Sequence, residues 1–158
     1  MTVLNPYQQW WHYSELPSTN DQAKRLAADH FLSDGAVVLA DEQTQGRGQQ
    51  HTTWYSKKGE SLTFSLVYFP LELKATHQFW LNMAIANGLA DGLRSRLPDP
   101  GNELAIKWPN DILVRGRKLG GILIENVLEG SYLQRVIAGV GLNLNQKAFR
   151  KALPDAIA

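Results

Sequence analysis

From residue 104 to residue 144 the chain is almost unbroken strand. Four apolar runs (104–107, 111–114, 118–127 and 132–144) are separated only by Trp108-Pro109-Asn110, Arg115-Gly116-Arg117 and Glu129-Gly130-Ser131. Connections this short, carrying Gly or Pro-Asn, join antiparallel neighbours, whereas a parallel pairing needs a crossover of a dozen residues or more. The C-terminal part of the fold is therefore predicted to be a β-meander.

Upstream the signals are mixed. Residues 10–16 read as a first strand, ended by Pro17. Ser18-Thr19-Asn20-Asp21-Gln22 offers several N-caps with an acid or amide three residues on, so a helix is predicted there. Ala23, Leu26, Ala27 and Phe31 continue it at helical spacing. Gly35 precedes a buried strand over 36–40, and a polar, glycine-bearing loop follows over 41–59. Residues 61–69 alternate like a strand. Phe79, Met83, Ala86, Ala90, Leu93 and Leu97 mark one face of a long helix, broken by Pro98-Asp99-Pro100-Gly101-Asn102. Residues 149–158 begin a helix-like pattern. Helix, strands, long helix and meander in that order predict an α+β fold: a mixed, largely antiparallel sheet packed with helices, as one domain over residues 1–158.

Composition narrows the function. A formal net charge of +1 gives no clustered basic excess of the kind that nucleic acid or membrane surfaces require, so neither partner is expected. With no cysteine, disulfides, thiolate metal sites and cysteine nucleophiles are excluded. No basic, apolar leader opens the chain, and no apolar run reaches the roughly 20 residues of a membrane helix. His12, His30, His51 and His77 have no metal-ligand spacing, and no metal ligands are assigned.

The chemistry is concentrated in three places. Lys107-Trp108-Pro109-Asn110-Asp111 is followed by Lys118-Leu119-Gly120-Gly121-Ile122-Leu123, which places two amines, an amide and a carboxylate at a hairpin's end and edge. Cations emerging from apolar surroundings suit a ligand that develops negative charge. Gly120-Gly121 inside a strand marks a bulge or a close backbone approach. Gly46-Arg47-Gly48-Gln49 is either a solvated surface loop or a backbone cradle for an anion. Ser18-Thr19-Asn20 serves as a cap, a ligand contact at a helix N-terminus, or both. Trp54 is either a hydrophobic lid or a nucleobase platform, and Asn143 is either a turn residue or a ligand contact.

In order and spacing these segments resemble biotin protein ligases (biotin–[acetyl-CoA-carboxylase] ligases). Ser18-Thr19-Asn20, Gln43 with Gly46-Arg47-Gly48, Trp54, the Lys107 run, Arg117-Lys118-Leu119-Gly120-Gly121 and the 139–143 stretch carry the resemblance. It covers about residues 13 to 145. It implies a class II aminoacyl-tRNA-synthetase-like, biotin/lipoate-ligase catalytic domain. The implied reaction uses ATP, biotin and Mg²⁺ to form biotinyl-5′-AMP and then biotinylates a lysine of a biotin carboxyl carrier domain. The setting implied is the cytoplasm, as monomer or homodimer.

By the same resemblance, Lys118 and Arg47 are the catalytic residues. Ser18, Thr19, Asn20, Gln43, Gly46, Arg47, Gly48, Gln49, Lys118 and Gly120 would bind biotin. Trp54, Lys107, Asn110, Lys118 and Asn143 would bind ATP. Gln49 stands where relatives often carry a basic residue. Neither an N-terminal helix-turn-helix domain nor a C-terminal β-barrel domain is expected within the chain. Two other readings remain: a lipoate or octanoate ligase or transferase of the same fold, and a biotin-binding module without turnover.

Overall fold

The computed structural model describes residues 9–29, 31–96 and 104–145. Seven strands form one sheet: β1 (Trp10–Leu16), β2 (Ala36–Gln43), β3 (Ser61–Tyr68), β4 (Leu104–Lys107), β5 (Asp111–Val114), β6 (Arg117–Glu129) and β7 (Tyr132–Asn143), in spatial order β1-β2-β3-β7-β6-β5-β4. β1 and β2 pair parallel; every other pair is antiparallel. The predicted meander is present as β4-β5-β6-β7, and β4 forms one edge of the sheet.

Helix α1 (Thr19–Ala28) is the crossover that the parallel pair demands. Ser18 caps it, its hydroxyl accepting from the Asp21 amide at 3.4 Å. Ala23, Leu26 and Ala27 face the sheet and join Val38, Ala40, Val67 and Ile137 in one core cluster. Helical spacing predicts Phe31 on this face as well. The helix stops at Ala28, so Phe31 is 58% exposed and Leu32 fills the core in its place.

Helix α2 (Gln78–Arg94) covers the opposite face over β4, β5 and β6. Its packed stripe is Ile85, Ala86, Leu89, Ala90 and Leu93, against Leu104, Ile112, Leu119 and Ile122. Phe79 and Met83, predicted on that stripe, are exposed, because packing begins only two turns into the helix. Leu97, the break after it and the 149–158 pattern lie outside the described residues. No described helix is long and apolar enough to cross a membrane.

Strand β2 runs three residues beyond the predicted 36–40. Asp41-Glu42-Gln43 lacks an apolar pattern but pairs with β1 as far as Leu16↔Gln43. The loop therefore starts at Thr44, and Gln43 is held on a strand end rather than in a mobile segment.

Candidate functional site

Between the two core clusters the middle of the sheet carries glycine in place of side chains. Gly121 of β6 and Gly141 of β7 are cross-strand partners. Their shared face is a flat floor on which the Trp54 indole lies. A Cβ at Gly141 would stand 2.6 Å from the indole Nε1, and one at Gly121 would meet ring atom Cζ3 at 3.4 Å. The indole N–H is buried there and has no acceptor among the described residues. Above the floor is a cavity of about 510 Å³, within the range of small-molecule sites.

Lys118 reaches this cavity because of an irregularity in β6. Ile112 pairs with Gly120 and Leu113 with Lys118, so Leu119 is an extra residue on the β6 side. Strict alternation from Gly121 would turn Leu119 toward the cavity and Lys118 toward α2. The bulge reverses this: Leu119 joins the apolar cluster under α2 and Lys118 lines the cavity. Its ammonium pairs with Asp111 at 2.7 Å and stands 5.9 Å from the Trp54 ring centroid. Asp111, first residue of β5, is the only carboxylate on the described wall.

The helix-cap residues form the second wall. Gln43 Oε1 accepts from the Thr19 amide at 2.7 Å and from its hydroxyl at 3.0 Å. The buried Ser65 hydroxyl lies 2.8 Å from Thr19 Oγ1 and 2.6 Å from Asn20 Oδ1, with one proton to share between them. Asn20 donates to Glu125 at 2.7 Å and packs over Gly139, where a Cβ would meet its Cγ at 2.9 Å. Burial pushes the Glu125 carboxyl up. Hydrogen bonds from Lys24 and Asn20, with the Lys24 and Arg47 charges, outweigh this and leave it below the usual carboxylate range.

The third wall is the loop after β2. Gly48 N donates to Thr52 O at 2.8 Å and Trp54 N to Gly46 O at 2.9 Å, folding the loop back on itself. Its turn forces Gln50 into the left-handed region at φ 51°. Arg47, Gly48 and Gln49 line the cavity, with Arg47 bound to Asp21 at 2.6 Å. The β4–β5 hairpin supplies Trp108, Pro109 and Asn110. The Trp108–Pro109 bond is cis, and Asn110 O accepts from Ile122 N at 2.9 Å.

Of the residues singled out from the sequence, the fold therefore brings Ser18, Thr19, Asn20, Gln43, Arg47, Gly48, Gln49, Trp54, Asn110, Lys118 and Asn143 to one cavity. Three do not reach it. Gly120 turns to the α2 face, where a Cβ would press on Leu142; Gly121 is the glycine that faces the cavity. Gly46 is packed against the Trp54 backbone and Gln43, shaping the loop from behind. Lys107 is exposed at the end of β4, outside the wall. Sequence reasoning missed Ser65, Asp21 and Glu125, whose contacts depend on which distant segments become neighbours.

Comparison with known proteins decides the family. A profile of the biotin/lipoate A/B protein ligase family matches residues 13–143. The chain belongs to this family. The biotin–[acetyl-CoA-carboxylase] ligase of Mycobacterium tuberculosis is 34% identical over 139 residues, 88% of this chain and 50% of that protein. The Leishmania major biotin protein ligase in complex with biotinyl-5-AMP is 28% identical, with a TM-score of 0.71, covering 98% of this chain and 63% of that one. The Aquifex aeolicus biotin protein ligase in complex with biotin and ATP is 27% identical, with a TM-score of 0.67, covering 95% and 58%. The chain spans between 35% and 51% of the length of the curated relatives compared. The family's α+β catalytic fold is the fold described above.

Proposed function

We propose that this chain activates biotin with ATP and passes it to a lysine of a biotin carboxyl carrier domain of a carboxylase, in the cytoplasm. The observation that supports this most is the convergence of two cations, Lys118 and Arg47, with a hydroxyl–amide wall over a side-chain-free floor. A carboxylate oxygen attacking the α-phosphorus of ATP breaks the bond to the β-phosphate oxygen and releases pyrophosphate. Charge builds at the α-phosphate as this happens, and Lys118, set in a pocket floored by glycine and indole, is placed to offset it. In the second step a lysine amine attacks the acyl carbon, the bond to the phosphate oxygen breaks, and AMP leaves.

Thr19 with Gln43 presents a polar edge for the ureido end of biotin. Arg47, Gly48 and Gln49 cover the adenylate, while Trp54, Asn110 and Asn143 hold the nucleotide. A ligand acceptor over the floor would also satisfy the Trp54 N–H, whose burial without a partner costs about 1–3 kcal/mol. No group of three His, Asp or Glu side chains among the described residues could hold a metal. Asp111 is already paired to Lys118. Mg²⁺ would therefore enter with the nucleotide, ligated mainly by phosphate oxygens and water.

Pyrophosphate release measured with ATP plus biotin, and with ATP plus octanoate or lipoate, tests the proposal. Release with biotin alone is expected. Release only with octanoate or lipoate would favour the lipoate-type reading. Calorimetric biotin binding without any release would make the chain a binding module.

A further inference from the structure

Arg47 is tied to the body of the protein by carboxylates that do not themselves line the cavity. Its Nη2 lies 2.6 Å from Asp21 Oδ1, on the first turn of α1, and 3.6 Å from Glu125 Oε2, midway along β6. Lys24 Nζ closes the group at 2.7 Å from Glu125 and 3.7 Å from Asp21. Glu125 Oε2 also receives the Asn20 amide at 2.7 Å. One carboxylate thus contacts both the loop cation and the residue that sits over Gly139 and bonds Ser65.

Two consequences follow. The loop's own hydrogen bonds, Gly48 to Thr52 and Trp54 to Gly46, shape its tip, while the Arg47 side chain reaches across from the tip to α1 and β6. An arginine ordered before the ligand arrives does not lose that freedom on binding. Two carboxylates and two cations also sum to zero charge, so the group can hold Arg47 at the rim without presenting a net repulsion to an incoming anion.

We propose that Asp21 and Glu125 are positioning residues: they latch Arg47 over the cavity so that the loop retains an anionic, adenylate-class intermediate. This rests on the function proposed above. Neither carboxylate lines the cavity; each acts through Arg47, and Glu125 also through Asn20.

The experiment uses Asp21→Asn, Glu125→Gln, Arg47→Ala and the two double variants with Arg47→Ala. Hydrogen exchange of residues 46–54 in ligand-free protein reads the latch without any chemistry. Release of preformed biotinyl adenylate, followed by chase, reads retention. Each carboxylate variant should speed exchange in the loop and adenylate release by about 2- to 5-fold, the range of a partly exposed ion pair. β7 amides should not change. In the Arg47→Ala background neither substitution should speed release further, because the interaction it removes is already gone.

Additive effects in the double variants would overturn the latch and leave a general structural role. Faster loop exchange in a protein that makes no adenylate would uphold the tether between Arg47 and the carboxylates but refute retention of an adenylate, and the fault would then lie with the proposed reaction. Adenylate formation with unchanged exchange and release would keep the reaction and discard the latch.

Discussion

Gly121 and Gly141 are directly opposite each other on the pocket floor, yet alanine should be tolerated at one and not the other. A Cβ at Gly121 would find Trp54 Cζ3 at 3.4 Å and Lys118 carbon and nitrogen atoms at 3.6 Å, ordinary van der Waals contact. A Cβ at Gly141 would run into Cε2 and Cζ2 of the same ring and stand 2.6 Å from its Nε1. The methyl group cannot share that space, so either β7 shifts or the indole leaves the floor and gives up its place near Lys118. Overpacking of this kind costs about 1–3 kcal/mol. For a domain of this size that corresponds to a Tm loss of roughly 2–12 °C for Gly141→Ala, against about 2 °C or less for Gly121→Ala. Scanning calorimetry of the two variants measures it, and Trp54 displacement should also appear as a fluorescence change in Gly141→Ala alone. If the two variants melt together and their spectra match the parent, the indole does not rest on the floor in solution.

Lys118→Met should lower the rate of adenylate formation by about 10²–10³ while changing the biotin Kd only a few-fold, since the ammonium acts on charge that develops in the reaction; rapid-quench kinetics with calorimetry separates the two, and near-parental rates would remove Lys118 from the chemistry. Gln49→Arg should slow adenylate release by about tenfold, a charge-assisted hydrogen bond to phosphate being roughly twice as strong as a neutral one, and an unchanged rate would mean that residue 49 does not reach the phosphate. Glu125 is held below its unfolded pKa in the folded protein, so its stabilising contribution is complete above the unfolded value and is lost as pH falls through the lower, folded one. The parent's Tm should therefore fall on acidification through that window more steeply than that of Glu125→Gln, and parallel Tm–pH curves for the two would contradict the assignment.

What could be read from the sequence follows the range of the interactions. The cap at Ser18 and the hairpins at residues 115–117 and 129–131 are set by neighbours within a few residues, and they are where local chemistry puts them. The extension of β2 to Gln43 was not legible, because Asp41-Glu42-Gln43 is ordered by a parallel partner more than twenty residues away. That Gly121 rather than Gly120 faces the cavity is hidden for a similar reason: one inserted residue at Leu119 shifts the alternation, and the shift is visible only against β5. Ser65 carries no motif at all. It matters because β3 lies under α1, where its hydroxyl meets Thr19 and Asn20.

The same alternation explains why the site can coexist with a well-packed sheet. In Gly139-Val140-Gly141-Leu142-Asn143 the even positions face away from the floor, toward the α2 side, and the odd positions face the cavity, so each strand satisfies two opposite demands at a period of two. Removing side chains from the odd positions leaves backbone that is fully paired with β3 and β6, so the floor exposes no unsatisfied ladder groups to a ligand. The charged groups could not be placed on that floor without spoiling it. They come in from its margins instead: Lys118 by way of a bulge and Arg47 from a loop held by α1 and β6. A floor without side chains, with cations brought in from its margins, keeps the strands beneath the cavity paired while the charges stand at its rim.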